Sequence, residues 1–211
     1  DYEYFSIGNR MNKEDILIKA QEYIKETFLK EGTGHDYYHI ERVVINARKI
    51  LQTEQADNFI VELAAWLHDL GDHKLHNGMD KSDELISAFL KSLAVEQSVI
   101  GRVIEIVSQV SFSKGNKPSS IEAEIVQDAD RLDAIGAIGI ARCFAYGGSK
   151  NRILYSPDEK EKEKENSSIQ HFYNKLFKLK DLMNTESAKL IAANRHSFME
   201  EYIAEFYREV Q

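Results

Sequence analysis

Ala64-Ala65-Trp66-Leu67-His68-Asp69-Leu70-Gly71-Asp72-His73 decides the fold, because an apolar helical run ends there in metal-binding and acid–base side chains. Just upstream, Phe59, Ile60, Leu63, Ala64, Trp66 and Leu67 recur at spacings of three and four, which predicts a helix with one face on a core. Gly71 is placed to stop it. His68 and Asp69 then fall at the buried end of a packed helix, where a charged carboxylate is costly unless paired or holding a cation.

Outward from that helix the same periodicity repeats. Before it, Ile16, Ala20, Tyr23, Ile24 and Phe28 form one stripe, broken by Gly32-Thr33-Gly34; a second starts near His35 and carries Ile40, Val43, Val44, Ala47, Ile50 and Leu51. After it, residues 73–81 read as a loop, followed by stripes through Leu85–Leu93 and Val99–Val107 and a turn-rich link at 111–119. The spacing then predicts one helix from Ile121 to Ala141, with Ala134, Ala137, Ile138 and Ala141 as its packed face. Two further helices are expected near Phe172–Leu182 and Ala188–Tyr207. No alternating strand pattern and no internal repeat occurs, so the fold class is all-α.

With 211 residues, 43% hydrophobic, the chain suits one domain over 1–211, with 1–10 a leader outside the fold and 150–168, including an alternating Glu/Lys run, a mobile excursion. A net charge of −8 argues against a broad phosphate-backbone footprint, hence against nucleic acid as a partner. The single cysteine, Cys143, has no internal disulfide partner, and no stretch approaches a membrane span. A cytoplasmic location is expected, with no membrane partner.

Candidate chemistry lies at three places on these helices. His35, Asp36 and His39 fall at spacings that share a helical face. His68-Asp69 follows, with Asp72 and His73. In Gln127-Asp128-Ala129-Asp130-Arg131-Leu132-Asp133, carboxylates interrupt an apolar helix and call for an arginine or a cation. One His from the first place, the His-Asp pair and one Asp from the third give two imidazoles and two carboxylates. Such a mixed nitrogen and oxygen set suits Mn, Zn, Fe, Ni, Co or Mg better than copper.

In its motifs the chain resembles the HD-domain metal-dependent phosphohydrolases. His39-Ile40-Glu41-Arg42-Val43 is similar to that family's first ligand helix, His68-Asp69 to its name-giving doublet, and Ala129-Asp130-Arg131-Leu132 to the segment with its last ligand. The resemblance implies a compact multi-helix bundle, with metal ligands His39, His68, Asp69 and Asp130; Asp128 stays a rival for the last place. It implies a divalent cation, manganese first, with Mg²⁺, Co²⁺, Ni²⁺, Zn²⁺ or Fe²⁺ as alternatives. By the same resemblance Asp72 orients or deprotonates the attacking water, and the substrate is a small phosphate compound, a nucleotide by preference. His35 and Asp36 are expected to support that chemistry. Cationic clamps for a phosphoryl group are sought among Arg42, Lys74, Arg131, Arg142 and Lys175, with His171 at the start of a late helix as a source of selectivity. His76 and His196 are expected at the surface. The expected activity is nucleoside-triphosphate pyrophosphohydrolase or 5′-nucleotidase, with a homodimer as the candidate assembly. The alternatives are a non-catalytic regulatory module and an HD-type oxygenase, which needs a second metal.

Overall fold

A computed structural model describes residues 11–29, 36–72, 78–110, 117–157 and 167–211. Helix α3, Asn58–Leu67, is the centre of the architecture: eight of its ten residues are buried, as expected of a helix apolar on nearly every side. Around it pack α1 (Lys13–Phe28), α2 (Tyr37–Ile50), α5 (Gln97–Val110) and α6 (Ile121–Asp133). Helix α4 (Ser82–Ser92) covers α5, and α2 lies along α6. The second half adds α7 (Gly136–Ser149), α8 (Ser168–Asn174), a 3₁₀ segment Leu176–Leu182 and the long α9 (Glu186–Glu209). Buried apolar side chains from Ile16 to Ile203 form one contiguous cluster, and no strand occurs among the described residues. No helix of the described residues is long and apolar enough to cross a membrane.

Polar side chains set where the helices start. Asn12, Asp36, Asp57, Ser120, Ser167 and Thr185 each accept a hydrogen bond from the backbone N–H three residues on, satisfying a donor that the helix itself leaves orphaned.

The expected continuous helix over Ile121–Ala141 is broken in two. Ile135 is extended and Gly136 adopts φ +76°, a left-handed conformation that separates α6 from α7. The break resets the helical phase. Ala137, Ile138 and Ala141 are exposed, and the packed face of α7 is instead Gly136, Gly139, Ile140, Cys143 and Gly147. The late helix expected at Phe172–Leu182 likewise begins earlier and tightens to 3₁₀ after Asn174. Ser167 and Ser168, assigned to the excursion, are buried at the start of α8. The rest of that excursion's charged run, the leader 1–10, His35, His73, Lys74 and His76 lie outside the described residues. His196 is buried against the Phe177 ring, not at the surface, because it falls on the inner face of α9.

Candidate metal centre

Three elements converge on one point. His39 comes from the first turn of α2, His68 and Asp69 from the end of α3, and Asp130 from α6. The His39 Nε2 atom lies 3.5 Å from Asp69 Oδ2 and 3.4 Å from Asp130 Oδ1. His68 Nε2 lies 3.5 Å from Asp69 Oδ1 and 3.8 Å from Asp130 Oδ1. One ligand atom each from His39, His68 and Asp130 falls within 4.8 Å of the others, the dimensions of a set that can grip one ion.

Both rings have their outward nitrogens fixed. His68 Nδ1 is 2.8 Å from the Ala65 carbonyl. A carbonyl only accepts, so Nδ1 carries the hydrogen and the neutral ring presents its Nε2 lone pair inward. His39 Nδ1 is 2.7 Å from Asp133 Oδ2, and Asp133 in turn accepts from Arg42 Nε at 2.7 Å, Arg42 Nη2 at 3.1 Å and Arg142 Nη1 at 2.7 Å. Burial raises the Asp133 pKa, but His39 and the two guanidiniums outweigh it and hold the carboxyl below its ordinary range. An ionised Asp133 then accepts the His39 Nδ1 hydrogen and leaves Nε2 as the donor atom.

Whether a cation belongs there can be tested on His68. Its Nε2 is buried and has no hydrogen-bond partner among the described residues, an arrangement that is rare unless something else fills the role. Two imidazole lone pairs facing carboxylate oxygens are acceptors facing acceptors, and a divalent cation is the group that reconciles them. Burial of His68 opposes its charge, yet Asp69, Asp130, the Ala65 carbonyl and Asp72 together raise its pKa above the ordinary histidine value. In acid, a proton therefore competes with a metal for the same nitrogen.

The chain just past the doublet is pinned. Gly71 has φ +87°, and a Cβ built on it would lie 2.5 Å from the Lys81 carbonyl carbon. Its carbonyl accepts from the Lys81 N–H at 2.9 Å. Asp72 follows this turn at the rim, partly exposed.

The other expected site residues among those described have separate surroundings. Asp36 spends a carboxylate oxygen on the His39 backbone N–H at 2.8 Å, so it anchors the ligand helix. Arg42 and Arg142 lie at the site through Asp133, whereas Arg131 turns away and donates to the Leu182 carbonyl. His171 stands on α8 and Lys175 at its end, and the charges of Lys175 and Arg152 both act on the His171 ring. Asp128 is fully buried and faces the start of α9: Asn184 N and Nδ2 donate to its Oδ1 at 2.9 and 2.8 Å, Thr185 N and Oγ1 to its Oδ2 at 2.8 and 2.9 Å.

Asp133 is the functional side chain that the spacing did not single out, although it follows Asp130 by three residues on the same helix. Behind it, Asn46 donates to the Ala129 carbonyl at 3.2 Å, and Arg195 joins Asn46 Oδ1 at 3.0 Å to the Leu132 carbonyl at 2.5 Å. These ties fix α6 against α2 and α9.

A helical bundle that turns two imidazole nitrogens and two carboxylates onto one buried point has the architecture of a metal-dependent hydrolase. The HD domain family matches residues 36–135, which span α2 to the end of α6 and include all four converging side chains. YpgQ of Bacillus subtilis is 40% identical over 192 residues, covering 89% of this chain and 90% of that one. Among solved structures, an HD-superfamily hydrolase from Bacillus thuringiensis is 42% identical with a TM-score of 0.79, covering 94% of this chain and 98% of its own. B. subtilis YpgQ in complex with ADP is 39% identical with a TM-score of 0.76, over 94% and 98% of the two chains. The chain belongs to the HD-domain family and is a metal-dependent phosphohydrolase of that superfamily.

Proposed function

We propose that this chain hydrolyses a nucleotide or a related small phosphate ester, as a nucleoside-triphosphate pyrophosphohydrolase or a 5′-nucleotidase. His39, His68, Asp69 and Asp130 hold the divalent cation, manganese first. The observation that carries this reading is the buried His68 Nε2, which lacks a hydrogen-bond partner among the described residues and points at two carboxylates. The choice of Asp130 over Asp128 is supported by their surroundings, imidazole lone pairs for one and N–H and O–H donors for the other. The ADP complex of B. subtilis YpgQ supports a nucleotide as the ligand.

A divalent cation in this site supplies Lewis acidity, bringing the pKa of water from 15.7 down to about 7 and neutralising charge on a phosphoryl oxygen. The chain's own residues do the rest. Asp133 keeps the His39 ring in the tautomer that presents Nε2, and the Ala65 carbonyl does the same for His68. In this reading Asp72, three residues beyond Asp69 and partly exposed, takes the proton of the attacking water. Asp36 secures the backbone of His39, and Arg42 and Arg142 keep Asp133 ionised.

The test is product analysis of the metal-stripped chain on a panel of nucleoside mono-, di- and triphosphates, with and without Mn²⁺. Metal-dependent release of pyrophosphate or phosphate is expected, together with its loss in His68→Ala at an unchanged helical circular-dichroism signal. Metal and nucleotide binding with no product from any member of the panel would overturn the reading in favour of a regulatory module.

A further inference from the structure

Asp130 and Asp133, on which the metal centre depends, both stand in the last turn of α6. A terminal turn lacks the amide donors that hold a helix interior, and it frays. Here the left-handed Gly136 ends the run, so Ala134 N–H reaches back to the Arg131 carbonyl at 3.1 Å and Ile135 N–H to the Leu132 carbonyl at 3.4 Å. These are three-residue contacts in place of the regular four. A carboxylate that has to hold its place closely thus sits on the least secure turn of its own helix.

The tie that secures this turn comes from α9. Arg195 Nη1 donates to the Leu132 carbonyl at 2.5 Å and Nη2 to Asn46 Oδ1 at 3.0 Å. With Oδ1 engaged as the acceptor, the Asn46 amide turns its Nδ2 to the Ala129 carbonyl, 3.2 Å away. The Leu132 carbonyl belongs to the peptide group that leads into Asp133, and the Ala129 carbonyl to the one that leads into Asp130. Peptide groups are planar, so tilting either one turns the aspartate that follows it. Asn46 is buried, four residues after Arg42 and seven after His39, on the face of α2 that meets α6. Gly136 serves the same contact. A Cβ there would fall 3.0 Å from Arg195 Cγ and 3.1 Å from Arg195 Cβ, so the missing side chain makes room for the arginine stem. Burial opposes the charge of Arg195, the Asp133 carboxylate favours it, and a cation at the C-terminal end of α6 meets the negative end of that helix.

We propose that Arg195 is a positioning residue of the metal centre, acting on Asp133 through the Leu132 carbonyl and on Asp130 through Asn46 and the Ala129 carbonyl. The planar guanidinium fork suits this task, because one rigid group spans both acceptors. Helix α9 lies beyond residues 36–135, which the HD domain family matches, so a helix outside that match takes part in holding the ion. The proposal rests on the reading that His39, His68, Asp69 and Asp130 bind a divalent cation.

Calorimetric titration of the metal-stripped chain with Mn²⁺ is the test, with thermal unfolding of each variant in EDTA beside it. Arg195→Met keeps a stem against Gly136 and removes the fork; it is expected to weaken Mn²⁺ binding about tenfold. Asn46→Ala is expected to give a smaller loss, and the double variant less than the product of the two single losses, because part of the arginine's action passes through Asn46. Arg195→Lys keeps the charge without the fork. It is expected to recover unfolding temperature more fully than affinity, and it serves should Arg195→Met fail to fold. Thr185→Val, which removes the side-chain cap at the start of α9, is expected to lower the unfolding temperature and keep the wild-type affinity. Wild-type affinity in the folded Arg195 variants, single losses that simply multiply, or an equal loss in Thr185→Val would each overturn the proposal while leaving the metal reading intact. A wild-type chain that takes up no divalent cation breaks the metal reading itself and this proposal with it.

Discussion

The carboxylates of Asp128 and Asp130 stand two residues apart on α6 and meet opposite surroundings. Asp128 is received by four N–H and O–H donors of Asn184 and Thr185, at the positive end of α9. Burial raises its pKa while those donors pull it down. Asp130, 28% exposed, instead looks at imidazole nitrogens whose hydrogens are engaged elsewhere. The same side chain is a cap for a helix in one place and half of an electrostatic conflict in the other. The lesson is that the partner atoms, donor or acceptor, decide whether a buried aspartate holds the fold together or awaits a cation.

The sharpest way to break this contrast is to truncate each residue in turn. Asp130→Ala is expected to bring metal-dependent turnover below detection, at least about a thousandfold down, with little change in thermal unfolding. Asp128→Ala is expected to do the reverse: four donors lose their acceptor and unfolding stability drops by roughly 3 kcal/mol in urea, while the folded fraction keeps its turnover. If Asp128→Ala abolished turnover in a stable protein and Asp130→Ala were active, the roles of the two residues would be exchanged. A finer cut comes from Asp133→Asn, which removes the carboxylate that sets the His39 tautomer. Metal affinity is expected to fall by about 10–100-fold by calorimetry, and ¹⁵N shifts of the His39 ring should show hydrogen moving away from Nδ1. An unchanged affinity with unchanged shifts would reduce Asp133 to an ion-pair partner of the two arginines.

Much of this was legible in the sequence, for identifiable reasons. The α3 stripe and the His68-Asp69 doublet lie within one continuous periodic segment, so spacing alone places them at a buried helix end. The split between α6 and α7 was not legible, because Ala134-Ile135-Gly136-Ala137 continues the apolar pattern while the left-handed Gly136 ends the helix. That lost phase also inverted the inner and outer faces of α7. The convergence of Arg42, Arg142 and His39 on Asp133 depends on side chains 91, 9 and 94 residues away, which no local pattern reports. Arg131 illustrates the opposite limit: its charge and position in the motif suggest phosphate, whereas its guanidinium closes the Leu182 carbonyl.

Gly71 has a further consequence. Its carbonyl meets the Lys81 N–H, and its missing Cβ lets the two stretches of backbone touch, so the chain just past the metal-binding doublet is held by a single clasp. Any side chain at Gly71 would prise the clasp apart and disturb the backbone that carries the His68-Asp69 doublet on one side and Asp72 on the other.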